Sequence, residues 1–172
     1  MRKTLVSTVA FFGLTLFTLE RVSAQTEEGS FLIEASTGFG FLNNVANTGF
    51  YLSSQDGETV FNIGAEGGYF IIDNLALKAG LGFGDNGFNS ILSYKLGAKY
   101  YVIGQIPVAM DFTGASIQDV SENPIFLGIQ GGYAIFLGDY IALEPGLRYN
   151  FTLNEDASDS FFQFNVGVAF LF

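Results

Sequence analysis

Between residues 31 and 172 the chain repeats one pattern. Large apolar residues alternate with small or polar ones at period two, the spacing of a strand whose two faces meet different surroundings. Eight segments carry it. In residues 31–41, Ile33, Ala35, Thr37, Phe39 and Phe41 oppose Glu34, Ser36, Gly38 and Gly40. In 61–71, Phe61, Ile63, Ala65, Tyr69 and Ile71 oppose Asn62, Gly64, Glu66 and Gly68. In 75–83, Leu75, Leu77, Ala79, Leu81 and Phe83 oppose Ala76, Lys78, Gly80 and Gly82. In 90–101, Leu92, Tyr94, Leu96, Ala98 and Tyr100 oppose Ser93, Lys95, Gly97 and Lys99. Residues 108–115 form the shortest segment, with Val108, Met110 and Phe112 against Ala109, Asp111 and Thr113. In 125–136, Leu127, Ile129, Tyr133 and Ile135 oppose Gly128, Gln130, Gly132 and Ala134. In 140–151, Ile141, Leu143, Leu147, Tyr149 and Phe151 oppose Glu144, Gly146, Arg148 and Asn150. In 161–172, Phe162, Phe164, Val166, Val168, Phe170 and Phe172 oppose Gln163, Asn165, Gly167 and Ala169.

Most of these segments approach the roughly 9–11 residues of a tilted transmembrane strand, well beyond the ~5–6 of an average soluble one. The connections alternate in length. Residues 72–74 and 137–139 are tight turns and 102–107 is short, whereas 42–60, 84–89, 116–124 and 152–160 are more polar links. Short turns on one side and mostly longer loops on the other predict an all-β, eight-stranded antiparallel up-and-down transmembrane β-barrel, with both ends of the sheet on the short-turn side. Pro145 sits inside the seventh segment, where it removes a ladder donor; a local bulge is one way to accommodate it.

Alternation alone does not tell a membrane barrel from a soluble one with an apolar lumen. Charge placement does. Lys78, Lys95, Lys99 and Arg148 fall on the small and polar face, and so do Glu34, Glu66, Asp111 and Glu144. The apolar face carries no charge on any strand. A soluble barrel needs a surface dense in Lys and Glu. An uncharged face suits lipid, where a midplane Lys or Arg costs roughly 2–4 kcal/mol. The eight charges are therefore expected in the lumen as a balanced network. Lys78 is placed diagonal to Glu66 across the 72–74 turn, within side-chain reach. Glu144 and Arg148 stand about 13 Å apart along one strand, so each needs a partner on a neighbour. Aromatic girdles are expected from Tyr69, Tyr100, Phe170 and Phe172 at one rim, and from Phe39, Phe61, Phe83, Tyr94, Phe112, Tyr149 and Phe162 toward the other.

Residues 1–24 read as a secretory signal peptide, leaving residues 25–172 as the barrel domain. Arg2 and Lys3 precede an apolar run of about 15 residues, short of the roughly 20 of a spanning helix, and Val22-Ser23-Ala24 has the small residues of a cleavage site. Removing the leader takes cations from 7 to 4 and carboxylates from 17 to 16, a net charge of −12. A nucleic-acid partner is excluded on that charge. The chain has no His and no Cys, which removes the usual general base and metal ligand.

Gly68-Tyr69-Phe70-Ile71-Ile72-Asp73-Asn74-Leu75-Ala76-Leu77, followed by Gly80-Leu81-Gly82, resembles the second hairpin of small OmpA/OmpX-like outer-membrane β-barrel proteins, with members of the Bacteroidetes labelled porin-family closest. Gly132-Tyr133 and Leu137-Gly138-Asp139-Tyr140-Ile141-Ala142-Leu143-Glu144-Pro145-Gly146 repeat the phrase, and the resemblance makes such a Pro usual. The last strand is similar to the C-terminal signal read by the outer-membrane assembly machinery, which assigns Phe164, Val168, Phe170 and Phe172 to that signal. The resemblance covers residues 30–172. It implies a location in the cell outer membrane of a Gram-negative bacterium, contact with outer-membrane lipids and lipopolysaccharide, and a monomer.

No catalytic, cofactor-binding or metal residues are assigned, and no cofactor is expected. Small barrel enzymes of this size rely on an active-site His; Ser36 and Ser93 on the lumen face have only carboxylates or lysines to serve as a base. Gly38, Gly40, Gly80, Gly82 and Gly84 lack the strand–loop–helix setting of a phosphate loop. Asp56/Glu58, Asp119/Glu122 and Glu155-Asp156/Asp159 read as solvated loop clusters, with divalent-cation binding as the alternative. The expected function is structural or interactive, an integral barrel whose lumen is filled by side chains. The alternatives are a narrow porin-like channel for ions or small solutes, and an adhesin or receptor acting through residues 42–60.

Overall fold

A computed structural model of the chain describes residues 26–39, 49–55, 58–85 and 87–172. The expected leader lies outside the described residues, as do Gly40 and Phe41 of the first expected strand. Among the described residues there are ten strands and no helix. The strands are β1 (Phe31–Phe39), β2 (Phe50–Gln55), β3 (Glu58–Ile72), β4 (Leu75–Asp85), β5 (Ser90–Val102), β6 (Ile106–Ile117), β7 (Ile125–Gly132), β8 (Ile135–Phe136), β9 (Ile141–Thr152) and β10 (Phe161–Leu171). Each pairs antiparallel with its neighbours, and β1 closes the sheet by pairing with β10 on one edge and β3 on the other. β7 and β8 are two pieces of one barrel strand and β2 is additional, so the wall is a closed eight-stranded, all-antiparallel β-barrel.

Closure sets a stagger. Stepping across the ladders from Glu34 leads to Glu66, Gly80, Lys95, Thr113, Phe126 and Thr152, and in the β9–β10 register onward to position 159. Stepping the other way from Glu34 reaches Ala169 directly. The two routes meet β10 ten residues apart, which is the shear that tilts the strands and fixes which lumen side chains share a level.

Two local expectations need correction, and the open question at Pro145 has an answer. Residues 42–60 are not simply a loop: β2 lies within them and β3 already begins at Glu58. The fifth expected strand is not the shortest; it runs as β6 for 12 residues. Pro145 does not create a bulge. Gly132↔Gly146 and Ile135↔Leu143 keep one register across β7, β8 and β9. The ladder lapses at the two positions between. Tyr133 N–H donates to the Pro145 carbonyl at 3.0 Å, but Pro145 has no N–H to return the bond. Ala134 N–H instead donates to the Gln105 carbonyl at 2.8 Å, in the β5–β6 turn. A missing donor opens a gap without shifting the strand.

The turns behave as the alternation requires. Asp73 and Asn74 turn β3 into β4, Asn74 at φ 66, and an irregularity between Phe70 and Ile72 keeps Lys78 opposite Gly68. Ile103 (φ 48) and Gly104 (φ 77) turn β5 into β6, and Gly138 (φ 88) serves β8 and β9. On this rim Thr26 is tied to the turn, its Oγ1 donating to Asn74 Oδ1 at 2.7 Å, and Phe31 N–H donates to the Phe172 carbonyl at 2.6 Å. The outward residues stand clear: Leu96 is 65% exposed while its neighbour Lys95 is 7%. The short-turn rim carries exposed Tyr69, Tyr100, Phe170 and Phe172. Phe83, Tyr94, Phe112 and Phe162 are exposed toward the other rim, and Tyr149 packs on Phe162 at 4.4 Å between ring centroids.

Substituting Pro145→Ala restores the lost donor. The new amide at position 145 should become protected from hydrogen exchange in detergent micelles. Stability should rise by no more than about 1 kcal/mol, the net value of one hydrogen bond. An unprotected amide at 145 would show that something other than the proline holds the gap open.

Candidate functional site

The lumen receives every second side chain of each strand, and the eight charges read from the sequence all lie there, each 8% exposed or less. They form two storeys. In the lower one, Lys78 Nζ lies 2.8 Å from Glu34 Oε2 and 2.8 Å from Glu66 Oε2. Lys99 Nζ lies 2.9 Å from Glu34 Oε2 and also contacts Glu144 Oε2. Lys95 Nζ reaches down to Glu66 Oε1 at 2.7 Å. These contacts link β1, β3, β4, β5 and β9 through side chains alone. Tyr101 completes the set: its hydroxyl donates to Glu144 Oε1 at 2.7 Å, and its ring centroid lies 5.0 Å from Lys99 Nζ.

Four residues along β9 from Glu144, Arg148 organises the upper storey. Its guanidinium grips Asp111 with two parallel bonds of 2.6 Å, Nη1 to Oδ2 and Nη2 to Oδ1. Such a fork–fork pair is the strongest geometry open to a carboxylate. Nε donates to Asn150 Oδ1 at 2.7 Å, and Thr113 Oγ1 donates to Asp111 Oδ1 at 2.6 Å. Asn150 Nδ2 donates to Gln163 Oε1 at 3.3 Å, and Asn165 Nδ2 to Gln130 Oε1 at 3.0 Å. Gly128 makes room for this, because a Cβ built there would strike the Arg148 guanidinium.

Apolar layers bound the ionic storeys. Two residues toward the short-turn rim from Glu34, Lys99, Lys78 and Glu144 stand Leu32, Tyr101, Ala76 and Ala142; with Phe70, Ala134, Ala169 and Leu171 they form a buried floor. Toward the other rim, Phe126 is fully buried and meets Phe161 edge-on at 5.4 Å between centroids, with Ala115 also buried.

The sequence reading assembled the charges but left out Tyr101, Thr113, Asn150, Gln163 and Asn165 as members of the network. Their signal was present: all share the parity of the charged residues. Ser93 is 1% exposed, and its Oγ has no hydrogen-bond partner among the described residues. Ser36 is also buried. No cluster of three or more acidic residues suited to a metal ion occurs among the described residues. In the loops, Glu122 Oε2 accepts from Asn154 Nδ2 at 3.2 Å; Asp56 lies outside the described residues. Phe164, Val168, Phe170 and Phe172 all point outward from the barrel.

Neither a family model nor a curated protein sequence matches the chain. Solved structures do. The N-terminal β-barrel domain of Pseudomonas aeruginosa OprF superposes with a TM-score of 0.55 at 15% identity, covering 84% of this chain and 98% of that one. A de novo designed transmembrane β-barrel gives a TM-score of 0.50 at 15% identity over 86% of this chain and 99% of the design. The fold is that of small outer-membrane β-barrels. Neisserial surface protein A aligns at 18% identity with a TM-score of 0.49, over 84% of this chain and all of its own.

Truncating one partner of the upper pair should be costly. Arg148→Met leaves Asp111 buried without its fork, an expected loss of about 3–5 kcal/mol in urea unfolding from vesicles. The double variant Arg148→Met/Asp111→Leu should recover most of that loss. Equal losses in the single and double variants would mean that charge pairing is not what the storey contributes.

Proposed function

We propose that this chain is an integral barrel of the bacterial outer membrane, held there by its uncharged outer face and closed to ions by its lumen. Its role is structural and interactive: a rigid membrane-embedded scaffold that carries loops on its longer-loop rim. The observation that supports this most is the lumen itself. Four cations and four carboxylates satisfy one another there, between a floor of Leu32, Phe70, Tyr101 and Leu171 and a ceiling of Phe126 and Phe161. A conducting path needs sites that a mobile ion can occupy and leave; here each fixed charge already holds a fixed counter-charge at contact distance. Eight strands also leave room mainly for side chains.

The outer face supports the membrane placement. Its belt of exposed Leu, Ile, Phe and Tyr would be an aggregation surface in water and is matched to acyl chains in a bilayer. Closure leaves the wall with few edges for lipid to face. On this reading residues 1–24 act as the export signal, outer-membrane lipids and lipopolysaccharide surround the belt, and the barrel functions as a monomer. The outward Phe164, Val168, Phe170 and Phe172 serve as the strand read by the assembly machinery, as in the OmpA/OmpX-like, Bacteroidetes-type barrels that the sequence resembles. No catalytic role is proposed for the lumen serines.

Reconstitution into planar bilayers tests the closed lumen. The unaltered barrel should insert and give no stepwise conductance. Stepwise conductance that changes with Arg148→Ala would instead assign a narrow channel running past the upper storey.

A further inference from the structure

The barrel wall is irregular in one place. β1 pairs with β10 as far as Phe39↔Phe164 but with β3 for only four residues, ending at Glu34↔Glu66. Beyond that point β2 takes over the same edge of β3, from Phe50↔Ile63 to Gln55↔Glu58. Both β1 and β2 are antiparallel to β3, so they run in the same direction, and no ladder joins them among the described residues. The residue leading into β2 is pressed between its neighbours: a Cβ on Gly49 would strike the Ser36 carbonyl of β1, and Asn62 Nδ2 of β3 donates to the Gly49 carbonyl at 3.4 Å. The short-turn half of the wall therefore has eight strands, and the loop half has nine.

We propose that this edge of β3 exchanges partners, with β2 acting as a removable wedge between β1 and β3. Continuing the β1–β3 register sets Ala35, Ser36, Thr37, Gly38 and Phe39 opposite Ala65, Gly64, Ile63, Asn62 and Phe61, which closes a regular eight-stranded barrel along its whole height. Both registers preserve the faces. Ile63 meets outward Phe50 in one and outward Thr37 in the other, so no strand must turn over. The ladders are close to balanced, since zipping β1 to β3 forms five residue pairs and releases the six held by β2. A lipid environment favours zipping, because an unladdered strand edge is costly there. Barrel diameter scales with strand number. The exchange thus widens or narrows the loop half of the lumen from the level just above Glu34 and Glu66 upward, alongside the upper storey. It is a property of the wall and stands whether or not the lumen conducts.

Cysteine trapping tests the exchange in the full barrel, which has no native Cys. Opposed positions on paired strands have Cβ atoms about 4.5–5.5 Å apart, near disulfide reach. Phe50→Cys/Ile63→Cys reports the wedge, and Thr37→Cys/Ile63→Cys reports the zipped wall. Each is oxidised in lipid vesicles after its folding has been confirmed by heat-shifted gel mobility, and the linked peptides are identified by mass spectrometry. Exchange predicts that both variants cross-link. Cross-linking of Phe50→Cys/Ile63→Cys alone would make β2 a permanent ninth strand; cross-linking of Thr37→Cys/Ile63→Cys alone would mean that β2 does not seat. Either result overturns the proposal. Should a variant fail to fold, Leu52→Cys/Phe61→Cys and Phe39→Cys/Phe61→Cys read the same two registers.

Discussion

Closing an eight-stranded sheet of period two directs every second side chain into one narrow space, and that space must balance its own charge. Four carboxylates enter it from β1, β3, β6 and β9, and four cations from β4, β5 and β9. None is free to turn toward water without leaving its strand's face. A buried charge that loses its partner carries the full desolvation cost, whereas a paired network is tolerated. The pairing is therefore less a source of net stability than a condition on closure: strands that miss their register strand a charge. Glu34 shows this most clearly, since it holds Lys78 of β4 and Lys99 of β5 at once from β1. It ties the strand that closes the barrel to two that are not its ladder neighbours.

The outer face follows from the same division. With the eight lumen charges drawn inward and Asp85 on the outward parity only at the loop end of β4, the exterior between is left to Leu, Ile, Val, Phe and Tyr, and the wall can meet hydrocarbon. Small residues on the inner face are the counterpart of that arrangement. Gly128 gives up its Cβ position to the Arg148 guanidinium, and a Cβ at Gly97 would strike the Asp111 side chain. At Gly128, and at Gly68 where a Cβ would press on the Lys78 stem, glycine is space kept for a long charged side chain on a neighbouring strand.

Parity was legible in the sequence, and with it the strand count, the faces and the inward placement of all eight charges. The Lys78–Glu66 contact was also legible, because it depends only on one tight turn. Partners set by the shear were not. Glu144 finding Lys99, and Arg148 finding Asp111, depend on register accumulated across strands that no single strand's pattern reveals. β2 was missed because Ser53, Ser54 and Gln55 give its second half the composition of a loop. Its place in the wall comes from the edge that β1 vacates, a tertiary fact. Pro145 was recognised as a problem, but its resolution turns on the single N–H it lacks, opposite Tyr133 between β7 and β8. Because the flanking pairs hold register, the sheet loses a bond there and does not insert a residue.

The direct test of the central division is where its outer face sits. A bimane fluorophore on Leu96→Cys, on β5 next to lumen-facing Lys95, should be quenched strongly by lipids brominated along their acyl chains and weakly by aqueous iodide. Strong iodide quenching without an effect of the brominated lipid would place that face in water and contradict the account.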